Sequence, residues 1–123
     1  MTRPVNLDLT AFRFPIAAIA SILHRISGVV LLFGVGYFTY LLSLTLESPE
    51  SFDWVFNAVG TTYHGVLAWT VLTAVSYHFF AGIRHLLMDF HIGISLRASS
   101  RSAWTTLILT ALASIGFGLW IVT

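Results

Sequence analysis

From Ile16 the chain is apolar to Leu46, interrupted by His24 and Arg25. A continuous helix of that length would measure ~45 Å, against a hydrocarbon core of ~30 Å. The surplus falls at the N-terminal end, where the polar pair lies. A first membrane span is therefore expected at about 26–46, with residues 21–25 at headgroup level. Pro15 suits a first helical turn, where a missing N–H costs nothing. Two further apolar runs predict spans at about 63–88 and 103–122. Tyr63, Trp104 and Trp120 stand near their ends, as interfacial aromatic residues do. The expectation is one all-α membrane domain, 1–123, with three transmembrane helices.

The connecting stretches are less uniform. Residues 1–14 mix aromatic and polar side chains, including Arg3, Asp8 and Arg13, and Pro4 argues against a helix there. In the first loop, 47–60, Ser48 can cap a helix with Pro49 at its first position and Glu50 in its first turn. Phe52, Val55, Phe56 and Val59 recur at helical spacing. That stretch is either a short interfacial helix with Trp54 near the headgroups or an irregular polar loop. The second loop, 89–102, carries Arg97 and Arg101. Gly34 and Gly36 read as helix-packing glycines.

Composition agrees with a membrane chain, since 57% of residues are hydrophobic and 9% charged, where soluble domains carry about 25% charged residues. Cysteine is absent. Thiolate ligation of an iron–sulfur cluster, disulfides and covalent haem attachment are thereby excluded for this chain. No secretory signal is expected, because no apolar core precedes the small residues Ala18 and Ala20. All six basic residues, Arg3, Arg13, Arg25, Arg84, Arg97 and Arg101, precede the first span or surround the second loop. The first loop holds Glu47, Glu50 and Asp53 instead. The positive-inside rule then predicts a cytoplasmic N-terminus and second loop, and a periplasmic C-terminus. No nucleic-acid partner is expected.

His78 is the candidate for chemistry. An ionisable residue at membrane depth is a functional candidate by default. It lies six residues before Arg84, ~9 Å deeper along a helix axis. A neutral imidazole there is either an axial haem ligand or a hydrogen-bonding link to a neighbouring helix. Gly82, at i+4, leaves room for a flat, bulky group. His85 lies two turns on, near the same face. Ser21, His24, Arg25 and Gly28 share a face by their spacing. Together they form either a site for carboxylates or quinone carbonyls, or ordinary interfacial anchoring. His64 reads as interfacial and unspecific, and His91 as a contact for a partner.

RPVNLDL at 3–9, SILHRISG at 21–28 and YHFFAGIRHLLMDF at 77–90 strongly resemble the cytochrome b556 membrane-anchor subunits of bacterial succinate dehydrogenase, respiratory complex II. The resemblance covers nearly the whole chain. It implies an inner-membrane, multi-pass anchor that pairs with a second small anchor subunit and docks an iron–sulfur subunit and a flavoprotein. It implies haem b with His78 as axial ligand, and ubiquinone bound beside Ser21 and Arg25. His24, Arg25 and Arg84 match the polar surroundings of the haem propionates. His85, Asp89 and His91 are candidate partner contacts. His91 departs from the family pattern, in which glycine often follows Asp-Phe. The chain would be non-catalytic alone, one part of an electron-transport enzyme of the tricarboxylic acid cycle. A quinol:fumarate reductase anchor and a non-catalytic three-helix tether are the alternatives, and assembly into a trimer of heterotetramers stays open. His24 is expected at the surface, His64 at the opposite end and His85 on the same helix as His78. A second haem ligand is therefore expected from another chain.

Overall fold

The computed structural model describes residues 15–61 and 63–123, with the side chain of Thr61 left aside. The RPVNLDL motif, with Arg3, Asp8 and Arg13, lies outside the described residues. Four helices follow one another: α1 Ile16–Thr45, α2 Pro49–Thr61, α3 Tyr63–Asp89 and α4 Leu96–Val122. The described residues are almost wholly helical, as expected. Three of the helices, α1, α3 and α4, are long and apolar enough to cross a membrane.

Helix α1 starts with Pro15 at its N-cap, one residue ahead of the expected first turn, and the Pro15 carbonyl accepts the N–H of Ala18 and Ile19. It then runs unbroken through His24 and Arg25, so the expected span 26–46 occupies only its C-terminal two-thirds. Of the two readings of the first loop, the helix is the one present. The Ser48 hydroxyl caps it, accepting the N–H of Ser51 at 3.1 Å. Its buried face is Val55 and Ala58, while Phe52 and Phe56 stack on the exposed surface. The expected apolar stripe is therefore divided, Val55 packing inward and the two rings lying outward, as a helix at a membrane surface allows.

Helix α3 is the centre of the bundle and contacts all three others, α4 and α1 most extensively. Its contact surfaces are rich in small residues, with Tyr77 and Arg84 as the large ones. Ala68 and Ala81 on α3, Ala20 on α1 and Ala103 on α4 are buried, whereas among the described residues no large side chain is fully enclosed. Where no water drives apolar faces together, close backbone approach and polar cross-links hold helices. At Gly34 a side chain would come within 2.7 Å of Val71 on α3, so only glycine permits this approach. Gly36 faces open space and has no such role among the described residues. Trp69 donates to the Ser114 carbonyl at 2.8 Å, and the Thr73 and Ser114 hydroxyls bond at 2.9 Å, joining α3 to α4. The outer faces are strongly apolar, with Leu32 at 72% and Phe33 at 74% exposure. So much exposed apolar surface belongs in lipid or against a partner.

The α3–α4 connection is a compact turn. The Ile92 N–H bonds to the Leu87 carbonyl at 2.9 Å and His91 adopts φ 61°, the left-handed closure usually supplied by glycine. Gly93 is also left-handed, and the Ser95 hydroxyl caps α4 by accepting the N–H of Ala98.

Candidate functional site

The conspicuous polar structure lies where α1 meets α3. Tyr77 is buried and its hydroxyl donates to the Ala20 carbonyl, anchoring α3 to α1. One residue on, half-buried His78 turns its ring against Gly28, where a Cβ would stand 3.4 Å from His78 Cε1. The Ser27 hydroxyl bonds to the His24 carbonyl at 2.7 Å and to His78 Nδ1 at 2.9 Å. A serine hydroxyl has one proton, and a carbonyl can only accept. With that proton on the His24 carbonyl, His78 must donate from Nδ1. The remaining nitrogen, Nε2, then carries a lone pair. Among the described residues no hydrogen bond engages it.

His24 stacks on His78 with ring centroids 4.2 Å apart and planes 15° from parallel, and tilts against His85 at 5.0 Å. Its Nε2 is buried without a partner, 3.6 Å from where a Cβ on Gly82 would stand. The space beside Gly82 is thus partly taken by His24. His24 is level with His78 along the bundle axis, closer to it than the sequence expectation set the two. The physical reason is that α1 begins at Ile16, which sets roughly 12 Å of helix before His24.

The four residues expected on one face are divided. His24 and Gly28 face α3, Arg25 is exposed, and Ser21 is half-buried. Neither the Ser21 hydroxyl nor the Arg25 guanidinium is engaged by a hydrogen bond among the described residues. Arg84 is 5% exposed and reaches α4. Its Nε donates to Ser102 Oγ at 3.0 Å, and its Nη2 donates to Ser99 Oγ at 3.0 Å and to the Ser99 carbonyl at 3.3 Å. Only the Nη1 donors stay uncommitted. His85 is half-buried against His24, while Asp89 and His91 are exposed at the end of α3.

His64 is held specifically, contrary to expectation. Its Nδ1 bonds the Tyr37 hydroxyl at 2.8 Å, and Tyr63 and Trp54 pack around its ring. This links α1 to α3 at the other end of the bundle. Sequence reading also passed over Ser27. Its place three residues after His24, on the same face, was the available signal. Among the described residues no three His, Asp or Glu side chains converge on a metal position. The stacked imidazoles present faces to each other, not converging nitrogens.

The comparisons with known proteins point one way. The chain is 42% identical to the succinate dehydrogenase cytochrome b556 subunit of Coxiella burnetii, over 97% of this chain and 96% of that protein. It is 34% identical to the corresponding subunit of Paracoccus denitrificans, over 82% of this chain and 78% of the relative. It is 32% identical to the mitochondrial cytochrome b560 subunit of Sus scrofa, over 93% and 69% respectively. Residues 1–117 match the Succinate dehydrogenase/Fumarate reductase transmembrane subunit family. Matched almost end to end, and carrying three membrane-length helices, this multi-pass membrane chain belongs to that family.

Proposed function

We propose that this chain is a membrane-anchor subunit of a bacterial succinate:quinone oxidoreductase, complex II, in the inner membrane. It holds haem b through His78 and forms part of the ubiquinone site through Ser21 and Arg25. The observation that carries the reading is the bond from His78 Nδ1 to Ser27, which leaves Nε2 as an available ligand. Other features support the fit of a haem edge here. His24 Nε2 is a buried orphan beside His78, and such a group calls for a further polar partner. Arg84 keeps two N–H donors uncommitted, and Arg25 is free to meet a carboxylate through its planar fork.

Haem b, when bound, would supply a one-electron centre. Arg25 and Ser21, one turn apart on α1, donate hydrogen bonds to a quinone carbonyl oxygen and stabilise the charge that develops there on reduction. His78 and Ser27 hold the ligand nitrogen in place. Succinate oxidation and the iron–sulfur relay belong to the flavoprotein and iron–sulfur subunits, and a second small anchor completes the membrane part. By itself the chain is not an enzyme. Among the described residues, Arg25, Arg84, Arg97 and Arg101 gather at one end of the bundle and Glu47, Glu50 and Asp53 at the other. This supports a cytoplasmic N-terminus and a periplasmic C-terminus.

The test is the reduced-minus-oxidised visible spectrum of the purified complex and of its His78→Leu variant, with the copurifying subunits identified. Loss of the b-type signal in the variant is expected. An unchanged haem signal, or a wild-type complex without haem, overturns the reading.

A further inference from the structure

We infer that Ser27 is a positioning residue for the haem ligand, fixing both the tautomer and the basicity of His78. The inference rests on the proposed role of His78 and deepens it, by assigning what the Ser27 hydroxyl does to that ligand.

Ser27 is buried, with its hydroxyl shared between the His24 carbonyl and His78 Nδ1. Because the carbonyl takes the serine proton, the oxygen lone pair takes the Nδ1 proton. The tautomer with Nδ1 bare would place two lone pairs against each other at 2.9 Å, or break the bond to His24. One proton on Nδ1 and a lone pair on Nε2 is the form an iron ligand needs. A hydrogen bond donated from the far nitrogen of a ligating imidazole also raises its basicity and orients the ring. Gly28 completes the seat by letting the Nδ1–Cε1 edge lie against α1. The orientation of the ligand on α3 is therefore set from α1. Greater basicity favours the oxidised iron, so Ser27 lowers the haem midpoint potential.

The experiment uses the whole membrane complex carrying Ser27→Ala, Ser27→Cys, Ser27→Thr or His78→Leu. Subunit content, haem content, midpoint potential and electron paramagnetic resonance spectrum are measured on each. Ser27→Ala is expected to raise the potential, alter the low-spin signal and weaken haem retention by about 10- to 100-fold. Ser27→Thr, which keeps the hydroxyl, restores all three. Ser27→Cys, near in shape but a weak acceptor, moves the potential the same way. It keeps the test open if the alanine complex does not assemble. An assembled Ser27→Ala or Ser27→Cys complex with wild-type potential and spectrum overturns the inference. If His78→Leu has lost haem in the same series, the ligand assignment stands and only the role of Ser27 falls. If His78→Leu retains haem, the ligand assignment itself fails.

Discussion

The imidazoles of His24 and His78 lie face to face, 4.2 Å between centroids, although they belong to different helices. A haem held by two imidazoles would need their nitrogens, not their faces, turned toward it. His24 is level with His78, but stacked in this way the two rings do not offer both nitrogens to one haem. His85 shares α3 with His78, and His64 is held at the opposite end by Tyr37. The second ligand is therefore expected from the companion anchor. This chain expressed alone should give no monodisperse monomer with a stable bis-histidine spectrum. Finding such a monomer would sink the idea. A self-dimer pairing two copies of His78 would change only the partner. Since a haem bound only by the assembled pair stabilises it by mass action, His78→Leu should also loosen the anchor pair.

Arg25→Leu removes the exposed guanidinium proposed for the quinone head group. Quinone reduction by succinate should fall by ~10²-fold or more, the scale of losing a donor to a developing oxyanion. Succinate oxidation with an artificial acceptor that takes electrons before the membrane site should persist. Parallel loss of both activities would indicate failed assembly and count against the assignment.

Arg84 is a buried cation tied to neutral oxygens of Ser99 and Ser102. Ser99→Ala leaves part of its guanidinium without an acceptor, at a cost of about 1–3 kcal/mol. Thermal denaturation of the solubilised complex should show the loss. Combined with Arg84→Met, the two changes should cost less than their sum, with a coupling of roughly 0.5–3 kcal/mol. Strict additivity would mean that the link between α3 and α4 carries no energy.

His91 occupies a left-handed position that closes α3. A side chain there costs roughly 1–2 kcal/mol, which glycine avoids. His91→Gly should raise the thermal midpoint of the complex, by about 1 kcal/mol in stability once the flexibility of glycine is subtracted. A lowered midpoint would show that the His91 side chain makes a contact worth more than the strain.

Orientation is open to reporter fusions. A reporter after Thr123 should be periplasmic. One inserted at Gly93, in the exposed α3–α4 turn, should be cytoplasmic. A cytoplasmic C-terminal reporter would overturn the three-span topology.

The fold class, the three membrane-length helices and the candidate ligand His78 are all legible in the order of apolar and polar residues. Long apolar runs in lipid have few ways to satisfy their backbone, so hydropathy alone specifies helices. The cap at Ser48 likewise announced α2. Which groups meet depends on how the helices pack. Helical spacing tells which residues share a face but leaves open how far a neighbouring helix slides or turns. In this bundle those offsets are set by close contacts such as Gly34 on Val71. From them follow the level of His24 against His78, the bond from Ser27 to a residue 51 positions away, and the turning of Arg84 toward the serines of α4. The packing face of α2 escaped the sequence for a related reason. At a membrane surface, large rings and small residues are both acceptable against protein, and only the shape of the neighbouring helices chose Val55 and Ala58.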